Sequence, residues 1–205
     1  MTEPVSIPAS LVKKLRDMTG VGFMDCKQAL EESGGDLDKA QELLRKKGKA
    51  GVEKRAGRQA SQGVVDAYIH GEGRIGVLVE VNCETDFVAR TDDFKRLARE
   101  IALQIAGGRP RWITRDDVPA DIVESERKIY AEQARETGKP DNVIARIVDG
   151  KLEAFYKESV LLDQHYIRDE TGKQTVADLV HEVAARVGEN VLIRRFVRYE
   201  LGKED

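Results

Sequence analysis

Residues 82–91 read NCETDFVART and crowd a thiol (Cys83), two carboxylates (Glu84 and Asp86), an alcohol (Thr85) and an aromatic ring (Phe87) into the place where an apolar strand should end. Four chemistries fit such a cluster: a metal ligand set, an active site, a helix start, or a tip that probes a partner. A cysteine nucleophile needs a positioned base, and the segment supplies none, so packing at the strand end is the simpler reading of Cys83. Cys26, Cys83, His70, His165 and His181 lack the compact spacing of a metal site, and HEVAA at 181–185 lacks the second histidine of HExxH. GEGRIG at 71–76 sits between two alternating runs, so it reads as a hairpin turn and not a phosphate cradle; no GxxxxGK[ST] loop occurs. Thr85 or Asp86 can turn the chain, and Thr91 or Asp92 can cap the helix that follows. Phe87 then either packs in its own core or serves a partner. In the second case the ring wedges into a cleft while the neighbouring acid repels or competes with groups around a bound ion or phosphate. Both readings stay open on the residues alone.

The elements around this cluster are legible. VVDAYIH (64–70), a GEG turn and RIGVLVEVN (74–82) predict a hairpin, with Ile75, Val77, Val79 and Val81 on one face and Glu80 on the other. Helical periodicity follows over 92–106 through Phe94, Leu97, Ala98, Ile101 and Ile105, and again over 121–136 and 142–159. TVAD at 175–178 starts a further helix, with Thr175 as cap and Asp178 answering it. VLIRRFVRYE (191–200) alternates as a last strand, with Val191, Ile193, Val197 and Tyr199 facing one way. Arg195 interrupts that face and should reach a sheet edge or a carboxylate. Two early strands and one late strand separated by helices predict an α+β fold, an antiparallel three-stranded sheet packed with helices.

Ahead of the hairpin, residues 9–48 predict three short helices, broken at Gly20 and Gly22 and again at GGD, where Asp36 can cap the third. That third helix is expected to stop near Gly48. Phe23 and Met24 either pack within this bundle or expose an apolar patch to a partner. Residues 45–59 carry seven Lys or Arg against one Glu and read as a solvated linker, with an acidic protein partner or RNA as alternatives. The expected division is a three-helix domain over 1–50, a basic linker over 51–62 and an α+β core over 63–205.

The whole chain of 205 residues is 40% hydrophobic, 5% aromatic and 35% charged, with a net charge of -3, which disfavours bulk nucleic-acid binding. Two distant cysteines suit a reducing compartment. The first ten residues lack the pattern of a secretory leader and no stretch approaches a membrane span, so a soluble cytoplasmic protein is expected.

Three segments resemble the bacterial elongation factor Ts family, and the similarity spans almost the whole chain. They are LRDMTGVGFMDCKQALEESGGDLDKAQELLRKKG (15–48), IGVLVEVNCETDFVA (75–89) and GENVLIRRFVRYELG (188–202). The resemblance implies a ubiquitin-associated-like head. It also implies guanine-nucleotide exchange on elongation factor Tu without covalent catalysis. No cofactor is expected to bind directly, because GDP, GTP and Mg2+ belong to the partner. It implies that Thr85, Asp86, Phe87 and Val88 disturb the partner's Mg2+ region, and that Met18, Val21, Gly22, Phe23 and Met24 dock on its GTPase domain. The family position at Thr91 is commonly Asn, a departure that touches only a detailed contact. The chain resembles the short family form with one core module, for which a homodimer and a two-plus-two complex are expected. No direct nucleic-acid or membrane contact is expected. The alternative is a non-enzymatic protein or RNA adaptor.

Overall fold

The computed structural model describes residues 7–203. Residues 1–6, part of the stretch read above for a secretory leader, lie outside it, as do residues 204–205. The chain forms two compact units. Among the described residues, one gathers the chain up to Gly63 with Asn82–Phe94 and Val180–Leu192; the other takes Val64–Val81, Lys95–Leu179 and the chain from Ile193.

The first unit contains the three-helix head: α1 (Ala9–Thr19), α2 (Phe23–Glu32) and α3 (Leu37–Arg55). Their apolar stripes converge on Val12, Leu15, Cys26, Ala29, Leu30, Ala40 and Leu44, with Leu11, Val21 and Leu37 packed around them. Gly20 ends α1 in the left-handed region at φ 68°, which a side chain rarely adopts, and its N–H returns to Arg16 O at 2.7 Å. Asp36 caps α3 by accepting from the N–H groups of Asp38 and Lys39 at 3.0 and 3.1 Å.

The expected stop of α3 at Gly48 is wrong: the helix runs on to Arg55. Gly48 and Gly51 each cost such a helix roughly 1 kcal/mol, but Val52 is buried and offsets this. Much of the basic stretch is therefore helical, and Lys46 and Lys47 pair with Glu42 and Glu32 at 2.7 and 2.6 Å. Between the end of α3 and the first strand, residues 56–61 carry no helix or strand.

The second unit holds most of the sheet, whose order is β1 (Gln62–His70), β2 (Ile75–Cys83), β3 (Leu192–Glu200). Arg195 meets Glu80 and Leu201 meets Arg74, so β3 runs antiparallel to β2. Val77, Val79 and Val81 are buried, as the period of two requires, and so are Leu97, Ile101 and Ile105 of the long helix α5 (Asp92–Gly108). The opposite face of the sheet stays open: Val65, Ile69, Leu78 and Tyr199 are all exposed. Arg195 lies on this face and donates to Glu80 Oε2 at 2.7 Å, the carboxylate partner its position demanded.

Helices α6 (Ala120–Arg135) and α7 (Asp141–Ser159) form an antiparallel hairpin around Ala134, Ile144, Val148 and Leu152. Arg115 fastens its base, donating from both terminal nitrogens to Glu153 at 2.8 Å and from Nε to Asp163 at 2.8 Å, with the Tyr156 ring beneath. Two buried glutamines pin the loop that follows. Gln104 donates to Gln164 and His165 O, and Gln164 donates to the carbonyls of Gly108 and Glu158. Helix α8 (Val176–Val187) opens with the expected box, Asp178 N–H donating to Thr175 Oγ1 at 3.1 Å and Thr175 N–H to Asp178 Oδ2 at 3.2 Å.

Within that loop, Asp169 accepts from the backbone N–H groups of Gln174, Lys173 and Thr171 and from the Thr171 hydroxyl. The bond from Gln174 leads in holding its carboxyl at about 2, below the ordinary 3.8. Its stabilising contribution is thus present above pH 3.8 and lost as pH falls from there toward 2. Asp169→Asn is expected to lower the melting temperature at pH 7 and to flatten its fall across that acid window. Thermal melts with the same acid slope in both proteins would count against this origin.

Candidate partner-docking tip

β2 ends at Cys83, whose side chain is fully buried and whose Sγ donates to Thr85 O at 3.2 Å. Thr85 is extended and serves as N-cap of a single helical turn, α4 (Asp86–Ala89), its Oγ1 accepting from Val88 N–H at 3.4 Å. Thr91 then donates to Val88 O at 2.8 Å and accepts from Phe94 N–H at 3.3 Å, which closes the turn and starts α5. Ala89 and Phe94 are buried and anchor this corner inward. A turn of 3.6 residues that points Ala89 inward must point Phe87 outward, and Phe87 is 80% exposed. Packing of that ring in its own core is therefore excluded. Asp86 beside it pairs with Arg90 at 2.8 Å across one helical turn, and both side chains stay accessible.

The corner is held from a distant part of the chain. Glu189 Oε2 accepts from the N–H groups of Glu84 and Thr85 at 2.9 and 3.0 Å, and its Oε1 accepts from the Thr85 hydroxyl at 2.6 Å. Glu84 answers: its Oε1 accepts from Asn190 N–H at 2.7 Å and its Oε2 faces Arg58 at 3.5 Å. Each carboxylate thus satisfies backbone donors on the opposite segment, a reciprocal clasp that fixes both the path and the tilt of α4. Sequence reading missed Glu189, Asn190, Glu84 and Arg58 in this role. The only local signal was Gly188, whose φ of 73° turns the chain sharply after α8 and aims Glu189 back at the tip.

Burial pushes the Cys83 thiol up to about 11, and the negative charge of Glu189 adds to the effect. A thiol that stays protonated at neutral pH is a poor nucleophile, so this environment opposes a reactive Cys83 and favours the packing role. Cys26 is also buried, with its pKa raised by the same desolvation. Among the described residues no group of three or more His, Cys, Asp or Glu could hold a metal ion.

In the head, the last turn of α1, the loop after it and the first turn of α2 carry the other residues singled out above. Met18 is 51% exposed, Phe23 42% and Met24 70%, so packing of Phe23 and Met24 inside the bundle does not describe them. Val21 is instead partly buried against the head core, and Gly22 is the exposed N-cap of α2. This patch belongs to the same compact unit as Phe87. Two exposed apolar surfaces suited to a protein partner, the head patch and a single projecting ring, thus sit on one compact unit.

Residues 29–203 match the sequence profile of the family described as "Elongation factor TS". The chain is 59% identical over 199 residues to the Elongation factor Ts of Coprothermobacter proteolyticus, covering 97% of this chain and 100% of that protein. It is 57% identical over 197 residues to that of Thermoanaerobacter pseudethanolicus (96% of each). It is 52% identical over 199 residues to that of Thermotoga petrophila (97% of this chain, 98% of that one).

Proposed function

The chain belongs to the elongation factor Ts family, and on that premise we propose how its surfaces carry out guanine-nucleotide exchange on elongation factor Tu. The protein acts by protein–protein binding and forms no covalent intermediate; GDP, GTP and Mg2+ are ligands of the partner. Phe87 is the wedge. The observation that supports this is a large ring 80% exposed on a backbone clamped by five hydrogen bonds, counting three to Glu189 and those of Val88 N–H and Cys83 Sγ. A floppy exposed ring would lose on docking the entropy that this clasp has already removed. Asp86, with Thr85 and Val88 shaping the same turn, brings negative charge to the partner's Mg2+ region and shifts it. The α1–α2 corner, with Met18, Val21, Gly22, Phe23 and Met24, supplies docking affinity from the head.

Linkage gives the mechanism. GDP and Mg2+ stabilise one conformation of the partner, and this protein binds more tightly to another in which the metal site is displaced. Differential affinity weakens nucleotide binding, and GTP binding reciprocally expels the exchange factor. A coupling of about 4 kcal/mol corresponds to roughly a thousandfold change in affinity. Release of labelled GDP from purified elongation factor Tu into excess unlabelled nucleotide is expected to accelerate by that order when this protein is added. Unchanged release would sink the reading.

The open face of the sheet suits a second copy of the chain. Val65, Ile69, Leu78 and Tyr199 form an apolar surface crossed by the Arg195–Glu80 pair, and a self-complementary patch of this kind favours a two-fold dimer. A two-plus-two complex with the partner follows, in the cytoplasm where translation takes place. Among the described residues no helix is long and apolar enough to cross a membrane. Equilibrium sedimentation is expected to give twice the chain mass for the wild type and the single-chain mass for Leu78→Asp. A wild-type protein that stays monomeric at tens of micromolar rejects the dimer.

A further inference from the structure

We propose that Asn190 is a positioning residue for exchange: it ties the exit of the head helix to the turn that clamps Phe87, so that head patch and ring meet one partner molecule as a single rigid surface. This rests on the reading that both surfaces touch that partner.

Asn190 is a buried polar residue, and its side-chain nitrogen donates to Ala56 O at 3.3 Å and to Arg58 O at 2.8 Å. Both hydrogens of the amide are therefore used on the segment that leaves α3. Its neighbour Glu189 holds the tip. Two consecutive residues thus grip the two functional surfaces from one turn. Two further points along the same seam keep the head against the end of α8. A Cβ on Gly48 would lie 3.3 Å from Ala185 Cβ, and one on Gly20 would lie 2.9 Å from Arg186 Nε. Arg186 itself reaches Asp93 at 3.5 Å, beside the start of α5. Close approach at Gly48, with no side chain to act as a spacer, marks a built seam, whereas Gly20 is required by its φ of 68° and meets only the flexible end of Arg186.

The reason such a seam matters is effective concentration. Residues 56–61 have no regular structure. Without the seam they would act as a tether, and the second contact would form from a broad set of head positions. With it, the first contact delivers the second in register. Loss of the seam should therefore weaken encounter with the partner and leave the action of Phe87 intact once bound.

The test measures GDP release from elongation factor Tu as the full-length protein is titrated, separating the half-saturating concentration from the maximal rate. Asn190→Ala keeps the backbone bond to Glu84 and is expected to raise the half-saturating concentration about tenfold, the scale of losing part of a tethered second contact, with the maximal rate held within about twofold. Gly48→Leu improves helix propensity while wedging the seam open, and is expected to act in the same direction; it serves if Asn190→Ala fails to fold. Met24→Ser should cost less in the Asn190→Ala background than in the wild type, because a head already out of register has less to lose. Wild-type half-saturation in a folded Asn190→Ala or in Gly48→Leu, or full additivity with Met24→Ser, overturns the proposal. If Met24→Ser and Phe87→Ala each behave as wild type, the assigned contact surfaces themselves fall, and the seam's role falls with them.

Discussion

Phe87→Ala should lower the maximal rate of GDP release by roughly 30- to 1000-fold, the range set by losing an interface hot spot of about 2–4 kcal/mol. The ring is 80% exposed, so its removal opens no cavity. The melting temperature should stay within about two degrees, since substitutions of this kind shift stability by less than about 0.5 kcal/mol. Loss of exchange without loss of stability is the signature that separates a wedge from a structural aromatic. Asp86→Ala should lose less. It breaks an exposed pair with Arg90 worth about 0.3–0.5 kcal/mol to the free protein, and on the proposed docking it removes one charge from the partner's metal region. Exchange at the wild-type rate by Phe87→Ala, with the fold intact by circular dichroism, rejects the wedge.

A second large effect is expected at a residue that need not touch the partner at all. Glu189→Ala removes the acceptor for two backbone N–H groups and one hydroxyl at the tip. Such bonds to a charged acceptor are worth about 1.5–3 kcal/mol each before compensation, and water can recover part of the loss. A net destabilisation of about 2–4 kcal/mol is expected from urea unfolding. Exchange should fall together with stability, in contrast to Phe87→Ala. The amide protons of Glu84 and Thr85 should pass from protected to fast exchange in NMR. Glu189→Gln retains one acceptor oxygen for the backbone donors, but its amide nitrogen obliges the Thr85 hydroxyl to turn, so an intermediate loss is expected. Protection of both amides unchanged in Glu189→Ala would mean that the tip is set by other contacts.

The strands and most helix starts could be read from the chain because they rest on short-range rules. Period-two burial of Val77, Val79 and Val81 and the caps at Asp36 and Thr175 involve residues within a few positions of one another. The continuation of α3 could not, since Gly48 and Gly51 argue for a stop, while the tertiary contacts that favour it, the burial of Val52 among them, lie outside local sequence. For Phe87 the residues allowed two answers. A turn carrying one buried and one exposed apolar side chain reads the same until the direction of α4 is known, and that direction depends on Glu189. In the head, Phe23 and Met24 have the composition of core residues, yet the three stripes already fill the bundle with smaller aliphatic side chains. Long-range polar contacts leave no period in a sequence, which is why the clasp escaped notice while the segment it holds stood out.

The distance along the chain between the two halves of that clasp has a bearing on synthesis. Thr85 is fastened by a residue 104 positions downstream. At bacterial elongation rates of about 5–20 residues per second, the segment carrying Phe87 waits on the order of 5–20 s before its fastener is made. A nascent or C-terminally clipped chain that stops short of Gly188 would carry the head but an unmoored ring, and on the proposed docking it would be inert in exchange while still able to bind through the head.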